Sequence, residues 1–335
     1  MSVPLPRSRL IPGDDNDGRE FPDAPRADYA PTGVDTGTGL LPTLKRTFKE
    51  FSEDNMTDWA ASLTYYGLLA IFPALIALMS LIGLVGNPAK TTKTITDIVH
   101  NISPSAPTSP FESVAKAKSA SGIMFIVGLV LALNAASGYV GAFMRASNVV
   151  WETPEGRKFF KLKPLQIFVT LLMILLLALV LLSVILTGPI VDAVARPLGI
   201  SSAATDIWNI AKWPVLLVIV TLMFSVLYHF SPNVKMPKFS FVSPGALVAV
   251  VVWIIVSAAF AFYVANFGSY NKTYGTLGGV VALLVWVWIT NCVLLLGMEL
   301  NAERERSVEL RAGVPRAGEE IQLEPRDTPK AKQST

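Results

Sequence analysis

The chain alternates between long apolar stretches and short segments that carry its charges. Six stretches contain no Asp, Glu, Lys or Arg and reach about 20 residues or more, the length that a helix needs to cross a bilayer. They cover residues 59–89, 119–144, 164–191, 213–234, 239–271 and 273–298. Two other uncharged runs do not qualify, since 197–205 is too short and 98–111 is polar and broken by prolines. The pattern predicts an all-α, polytopic membrane bundle with six transmembrane helices.

An amphipathic helix is predicted ahead of the first span. Apolar residues recur there at helical spacing, opposite a charged face. The apolar positions are Leu44, Phe48, Phe51 and Trp59, and the charged ones are Lys45, Arg46, Lys49, Glu50 and Glu53. Such a helix either lies on the membrane surface or packs beneath the floor of the bundle. The pattern leaves both placements open.

The two ends of the chain differ in composition from the part between them. Residues 1–40 are rich in Pro, Gly and Asp and contain no apolar run, so they form neither a signal peptide nor a span. Residues 307–335 are charged and similar in character. We expect disordered cytoplasmic tails at 1–40 and 307–335, flanking a membrane domain at 41–306.

The basic residues predict the orientation of the bundle. Fourteen Lys and Arg residues lie close to the span ends on the side of the two termini, against six on the other side. Short loops rich in Lys and Arg stay in the cytoplasm. The distribution therefore predicts a multi-pass protein of a bacterial inner membrane with both termini in the cytoplasm.

Composition excludes several classes of protein and site. With 52% hydrophobic and 16% charged residues, the chain is too apolar for an ordinary soluble domain. Its one cysteine, Cys292, and two distant histidines, His100 and His229, provide no disulfide and no zinc-binding spacing. We expect no metal, no cofactor and no catalytic residue.

The second stretch carries a stripe of small and polar residues. Steps of four, three, four and three residues place them on one helical face, and they are Asn134, Gly138, Gly141, Arg145 and Asn148. Small residues allow close helix packing and polar ones need partners in hydrocarbon, so the stripe is predicted to face the bundle interior. Whether it lines a cavity or serves helix packing alone stays open.

A second set of residues predicts a gate or a path. Pro73 lies near the middle of the first stretch and removes one backbone hydrogen bond, which favours either a gating kink or a static bend. Tyr65 and Tyr66 supply hydroxyl groups near the start of the same stretch. The turn between the last two stretches is polar and glycine-rich, with Tyr270, Asn271, Tyr274 and Gly275. Gly275 and Gly279 predict a tight start to the sixth span.

Glu299 is the carboxylate at the far end of the sixth stretch, inside a continuing helix. An ionisable group near hydrocarbon points to function, although at a span end it also can reach water by extending its side chain. Arg145 is predicted at a similar depth. We therefore expect either a Glu299–Arg145 ion pair or two independently solvated charges.

Several of these segments resemble the YihY/BrkB family of bacterial inner-membrane proteins. The resemblance rests on Tyr65-Tyr66 to Phe72-Pro73, on Trp151 with 157–160, on the turn at 270–279 and on 297–302. It covers about residues 41–306. The family is largely uncharacterised; the resemblance implies solute transport or a role in envelope resistance. Some members carry a ribonuclease label, which the chain does not support, since no carboxylate or histidine cluster for catalytic metals is visible.

Two hypotheses of function follow. The first is a transporter or exporter of an unidentified small solute, and the second is a non-transporting scaffold for envelope integrity. The sequence indicates a lipid bilayer as partner and no nucleic acid, and it is compatible with a homo-oligomer. A continuous polar cavity between spans one, two and six would favour transport.

Overall fold

The computed structural model describes residues 37–85, 121–185, 201–236, 241–266 and 276–328. Within these ranges the chain forms seven helices and one isolated β-bridge. The helices are α1 (Leu40–Glu53), α2 (Met56–Val85), α3 (Ser121–Val150), α4 (Phe159–Ile185), α5 (Ser202–Phe230), α6 (Pro244–Asn266) and α7 (Thr276–Arg311). The predicted all-α membrane bundle is confirmed.

Five of the helices, α3 to α7, are long and apolar enough to cross a membrane. The 30-residue helix α2 coincides with the first predicted stretch. The count of six spans stays a prediction. Helix α2 continues through Pro73 without interruption.

Two helices extend well beyond their predicted apolar stretches. Helix α5 begins at Ser202 instead of residue 213, because Ser201 caps its first turn by accepting a hydrogen bond from the Ala204 amide. Lys212 lies within this helix, and its ammonium lies over the Trp213 ring, 5.7 Å from the centroid. Helix α7 continues past Met298 to Arg311.

The helices are arranged as a ring in chain order. Each helix from α2 to α6 packs against the next, α7 closes the ring against α2, and α7 also contacts α3. Helix α1 packs on α7. One end of the ring therefore gathers α1, the starts of α2, α4 and α6 and the ends of α3, α5 and α7; we call it the α1 end.

Burial is concentrated at the α1 end. The hydrophobic core contains residues from the start of α2, the end of α3, the start of α6 and the second half of α7, among them Leu63, Phe143, Ala249 and Leu295. Elsewhere the helices expose large apolar side chains, as at Val130, Phe168, Ile255 and Val281. A surface of this kind belongs in lipid, since water would disfavour it.

Helix α1 ends earlier than its apolar pattern predicted. It stops at Glu53, Asn55 adopts a left-handed φ of 53°, and Trp59 lies in α2. Asparagine tolerates this conformation better than most residues, so the turn separates two helices that the pattern joined. Helix α1 packs on α7 through its polar face, at Thr43, Arg46 and Thr47, and leaves Phe48 62% exposed.

The expectation of a disordered tail from residue 307 is wrong for residues 307–328. Helix α7 includes residues up to Arg311, and 312–328 fold back over the α1 end as a C-terminal segment. Arg326 donates from Nη2 to the His229 carbonyl at 2.6 Å and from Nε to the Val234 carbonyl at 2.8 Å. Val234 and Pro325 form the β-bridge. These backbone contacts have no hydrophobic periodicity, so the sequence pattern did not reveal them.

Candidate functional site

Glu299 lies where the apolar part of α7 gives way to charge. A 36-residue helix is about 54 Å long, well beyond the roughly 30 Å of a bilayer core. Its residues up to Met298 are uncharged, so Glu299 is the first charge at the border. The side chain is 1% exposed, and its Oε1 has no hydrogen-bond partner among the described residues.

A cluster of charges, three of its four members buried, lies next to Glu299 along α7. Glu303, one turn further on, accepts from Arg46 Nε at 2.6 Å and from Arg306 Nε at 2.7 Å. Arg306 also donates from Nη2 to Glu152 Oε1 at 2.6 Å. We name Arg46, Glu152, Glu303 and Arg306 the charge cluster. It joins α1, the end of α3 and α7, so it fixes the position of Glu299 between three elements.

Hydroxyl groups complete the polar contacts between α1 and α7. Arg46 Nη2 donates to Ser307 Oγ at 2.6 Å, and the Thr43 and Ser307 hydroxyls lie 2.8 Å apart. These bonds satisfy part of the guanidinium that the protein buries. Side chains of α7 therefore form hydrogen bonds with the polar face of α1.

Glu152 occupies a special backbone position directly after α3. Its φ is 48°, in the left-handed region that favours glycine. The conformation lets its carboxylate accept both from Arg306 and from the Ile321 amide, the latter at 2.6 Å. Strain of this kind persists only where surrounding contacts over-determine it. Glu152 therefore connects the charge cluster to the C-terminal segment.

Two further carboxyl groups face the site from α1 and the turn after it. Burial, together with the negative charges of Glu50 and Glu152, raises the pKa of Asp54 to about 6. Burial also raises the pKa of Glu50, against the opposing charge of Arg306. Both groups interact electrostatically with Glu299. The carboxyl groups around Glu299 therefore include one that changes its protonation near neutral pH.

A layer of hydrogen bonds crosses the bundle two turns before Glu299. Tyr139 Oη on α3 donates to Asn291 Oδ1 on α7 at 2.8 Å, and Asn291 Nδ2 donates to Thr64 Oγ1 on α2 at 3.1 Å. Polar side chains in hydrocarbon need such partners. The layer links α2, α3 and α7, the helices between which a continuous polar cavity would favour transport over a scaffold.

The predicted stripe on α3 does not form one continuous buried face. Gly141 and Asn148 are buried, Gly138 is half-buried, and Asn134 and Arg145 are exposed. The helix buries instead the neighbouring positions Ser137, Val140, Phe143, Met144 and Ser147. Gly138 lies against the Tyr66 ring, since a Cβ there would be 3.4 Å from Tyr66 Cδ1.

The predicted gate residues are only partly within the described ranges. Tyr65 is exposed and meets Tyr66 edge to face, with ring centroids 5.6 Å apart. Tyr270, Asn271, Tyr274 and Gly275 lie outside the described residues. No described atom lies within 4 Å of a Cβ placed on Gly279, so the structure shows no tight contact at that glycine.

The ion pair between Glu299 and Arg145 is absent from the structure. Arg145 is exposed and lies over the Tyr66 ring, 5.9 Å from its centroid, whereas Glu299 is buried. Similar depth along the helices suggested the pair as one of two alternatives, but two residues at one depth also must face each other. The direction in which Arg145 leaves α3 places it on a different partner.

The sequence pattern revealed neither the charge cluster nor a close contact between α6 and α7. Glu303 and Arg306 follow Glu299 at steps of four and three, a helical spacing that was visible beyond the end of the apolar stretch. Gly245 of α6 and Gly297 of α7 touch through their backbones. Asn301 Oδ1 accepts from the Gly245 amide at 2.9 Å, within the first turn of α6. Such contacts between distant segments have no local signal.

The carboxylates of the site are arranged for ion pairing. Among the described residues, no group of three or more His, Cys, Asp or Glu side chains could hold a metal ion. Glu303 is instead held between two arginines. The buried Oε1 of Glu299 stands out, because the side chain is almost completely buried and no donor among the described residues reaches this oxygen.

Comparison with known proteins matches the chain to one family. The model of the family described as Virulence factor BrkB matches residues 47–320. The chain belongs to this family. The resemblance to YihY/BrkB proteins seen in the sequence is thereby confirmed. The match extends beyond α7 and includes the first part of the C-terminal segment, up to residue 320.

Relatives of this BrkB-family chain carry two kinds of name. The Putative ribonuclease-like protein YfkH of Bacillus subtilis is 30% identical over 261 residues, covering 77% of this chain and 94% of its own length. The UPF0761 membrane protein PBPRA3489 of Photobacterium profundum is 30% identical over 201 residues, 58% and 57% of the two chains. The UPF0761 membrane protein NTHI0384 of Haemophilus influenzae is 27% identical over 269 residues, 76% and 91%. No solved structure gives a significant match.

Proposed function

We propose that this protein transports a small solute across the membrane and that Glu299 binds the coupling proton or cation. The observation that carries the proposal is the buried carboxyl group of Glu299, one oxygen of which has no donor among the described residues. An ionisable residue at the edge of the membrane interior is expensive and is a functional hypothesis by default. A helix with a purely structural role would gain no stability from a buried carboxyl group of this kind.

The surroundings of Glu299 favour a group that exchanges its charge. Without a donor, a buried carboxyl group avoids a large desolvation cost only when it holds a proton or a cation. Asp54, whose pKa is about 6, lies nearer the turn that connects α1 to α2 and interacts with Glu299. It supplies a second carboxyl group through which a proton can pass between Glu299 and the solvent at the α1 end.

A non-transporting scaffold is the second candidate function. The charge cluster and the C-terminal segment favour it, because both hold α1, α3, α5 and α7 together through paired groups. A rigidly held α1 end of this kind suits a scaffold, which supports the envelope without moving a solute. The unpaired Glu299 carboxyl group is the feature that this alternative leaves without a role.

The proposal assigns no catalytic reaction and no nucleic-acid partner to the chain. The carboxylates closest to Glu299 on α7 and α3 are engaged by Arg46 and Arg306. Metal-assisted hydrolysis of a phosphodiester needs carboxylates available to the metals. The ribonuclease-like name belongs to the Bacillus relative, and the proposal does not extend it to this chain.

We place the protein in the bacterial inner membrane with the α1 end in the cytoplasm, on the strength of the basic residues that flank the spans. In a Cys292→Ser background, Lys158→Cys is expected to react with an impermeant maleimide from the inside and Ser269→Cys from the outside. Labelling of both from one face would contradict this orientation.

The transport proposal is tested with purified protein in liposomes on a solid-supported membrane. Pools of amino acids, organic acids, sugars, nucleosides and amphipathic cations are applied as concentration jumps, at equal pH and across a pH gradient. We expect at least one pool to give a current above that of empty liposomes. The current is expected to disappear in Glu299→Gln and to persist in Glu53→Gln, which neutralises an exposed carboxylate.

Two results would contradict the proposal. Wild-type protein that is monodisperse and thermally stable but passes no current with any pool would favour the scaffold. A current of equal size and equal pH dependence in Glu299→Gln would remove Glu299 from the mechanism, even if transport itself were established.

A further inference from the structure

A cavity of about 270 Å³ lies at the α1 end, separate from the charge cluster. Segments that are distant in sequence form its wall: the end of α3, the end of α5, the start of α6, the charged part of α7 and the C-terminal segment. Met236, Pro244, Val308 and Leu323 give it an apolar wall. Neither Glu299 nor any member of the charge cluster lines it.

The cavity wall contains a buried donor without an acceptor. Trp151 is 4% exposed, and its Nε1–H has no hydrogen-bond partner among the described residues. Three other indoles of the protein are satisfied: Trp253 donates to Thr290, Trp286 to Ser257 and Trp288 to the Thr57 carbonyl. Buried polar groups are normally paired, so an orphaned indole N–H at a cavity marks a missing acceptor.

A cation and a helix start lie at the same cavity. Arg304 lines it, and no hydrogen bond or ion pair of its guanidinium appears in the described part of the chain. Ser243 and Pro244, at the start of α6, also line it, and a helix N-terminus carries partial positive charge. Glu305 and His229 also line the cavity, and each has an interaction of its own. Further polar side chains in the wall are Ser225, Tyr228 and Asn301.

We propose that this cavity binds a small amphipathic anion, a carboxylate or phosphate group on a short apolar body. The anionic group accepts from Trp151 Nε1–H and Arg304, and the apolar body lies against Met236, Val308 and Leu323. The volume is near the lower end of ligand pockets, which limits the ligand to a small body. A soluble metabolite or the phosphate headgroup of a lipid offers this chemistry.

The inference goes beyond the proposed function and does not depend on it. A bound anion could be a transported solute, a regulator or a structural lipid. For this reason the experiment measures binding alone, with no readout of flux, and its failure would leave the role of Glu299 intact.

The experiment uses the full chain in nanodiscs with 5-fluorotryptophan, read by ¹⁹F NMR. Trp151→Phe assigns the Trp151 resonance, and the resonances of Trp253, Trp286 and Trp288 are internal controls. The soluble probe is 4-phenylbutyrate, with the uncharged 4-phenylbutanol as its matched control. The lipid arm compares phosphatidylcholine discs with discs that contain phosphatidylglycerol.

We expect 4-phenylbutyrate, or phosphatidylglycerol in the disc, to shift the Trp151 resonance in a saturable way and leave the controls unchanged. Arg304→Gln should weaken binding by about tenfold or more, since a hydrogen bond to a charged group is removed. Arg311→Gln, on the same helix but outside the cavity wall, should not. A response to the probe identifies a soluble source, and a response to phosphatidylglycerol alone identifies a lipid source.

Three outcomes would overturn the proposal. They are an unchanged Trp151 resonance in both arms, an equal response to 4-phenylbutanol, and unaltered affinity in Arg304→Gln. The protein must stay folded in each case, which the unchanged control resonances report within the same spectrum.

Discussion

The two halves of α7 lie in different surroundings. In the first half, Val280 and Val281 are about half exposed, and nothing in the described chain lies near Gly279. In the second half, Leu295, Met298 and Glu299 are almost completely buried and the charge cluster follows. Lipid can solvate the first half of the helix without specific partners. Specific contacts are therefore concentrated at the α1 end, where the helix leaves hydrocarbon and its charges need defined partners.

Equivalent glycine substitutions in the two halves test this difference most strongly. A Cβ on Gly297 would lie 2.5 Å from Tyr228 Oη and 2.6 Å from Ala249 Cβ, beside the backbone of Gly245. We expect Gly297→Leu to lower the free energy of unfolding by about 3 kcal/mol or more, because two backbones must separate. Thermal unfolding in detergent and the yield of monodisperse protein measure the effect.

Gly279→Leu is the matched control and should change stability by less than about 1 kcal/mol, since no described atom lies within 4 Å of its Cβ position. Similar losses at the two glycines would mean that the first half of α7 has close neighbours too, and the contrast between the halves would then not hold.

The apolar pattern predicted those features of the fold that a lipid environment requires. Hydrocarbon requires long uncharged helices, so the positions of α3, α4, α6 and the first half of α7 could be read from composition alone. The same argument identified Glu299 as unusual. The end of α1 could not be predicted this way, because it depends on the left-handed conformation of Asn55.

The partners at the α1 end depend on how distant segments meet. Arg46 reaches Glu303 across 257 positions of the chain, and Arg326 reaches His229 across 97. Neither pair has a repeating spacing that a single sequence reveals. The stripe on α3 shows the same limit, since spacing grouped Arg145 with Gly138 and Gly141 on one helical side but could not say which neighbour that side meets.

The charge cluster provides the second test. Glu303→Gln leaves Arg46 and Arg306 buried with a weaker acceptor, and we expect a loss of about 3 kcal/mol, the usual result of removing one member of a buried ion pair. Glu53→Gln removes an exposed pair with Lys49 on the same α1 end and should cost less than about 1 kcal/mol.

A double-mutant cycle with Arg46→Met separates the pair from its surroundings. The double variant should lose clearly less than the sum of the two single losses. Additive losses would show that Arg46 and Glu303 stabilise α1 and α7 independently, so that the charge cluster would not act as a unit.

The small residues of α3 give an intermediate effect. A Cβ on Gly141 would lie 2.9 Å from Gln166 Nε2, at the flexible end of a side chain, while at Gly138 the nearest atom is 3.4 Å away on the Tyr66 ring. We expect Gly141→Leu to cost about 1–2 kcal/mol and Gly138→Leu a similar or smaller amount. Leu131→Phe, at an exposed position on the same helix, should be almost neutral. Equal stability of all three variants would show that the two glycines of α3 do not face closely packed neighbours.

Asp54 gives the smallest effect and the one that depends on pH. Its pKa is raised from 3.8 to about 6 in the folded protein, mainly by burial. Between these two values the folded state binds more protons than the unfolded state, so stability falls as the pH rises through this window and levels off above it. The charged carboxylate therefore destabilises the α1 end at neutral pH.

Asp54→Asn removes that charge, and we expect it to raise Tm by a few degrees at pH 7.5, with the gain shrinking toward zero as the pH falls to about 4. The full shift in pKa overstates the gain, because the side chain is partly exposed and solvent screens it. Glu53→Gln, one position earlier and exposed, is the control and should change Tm little. A gain of equal size at pH 4 and pH 7.5 would show that the effect comes from the backbone turn at Asn55 and not from the charge of Asp54. The inference that Glu299 has a titrating neighbour would then be wrong.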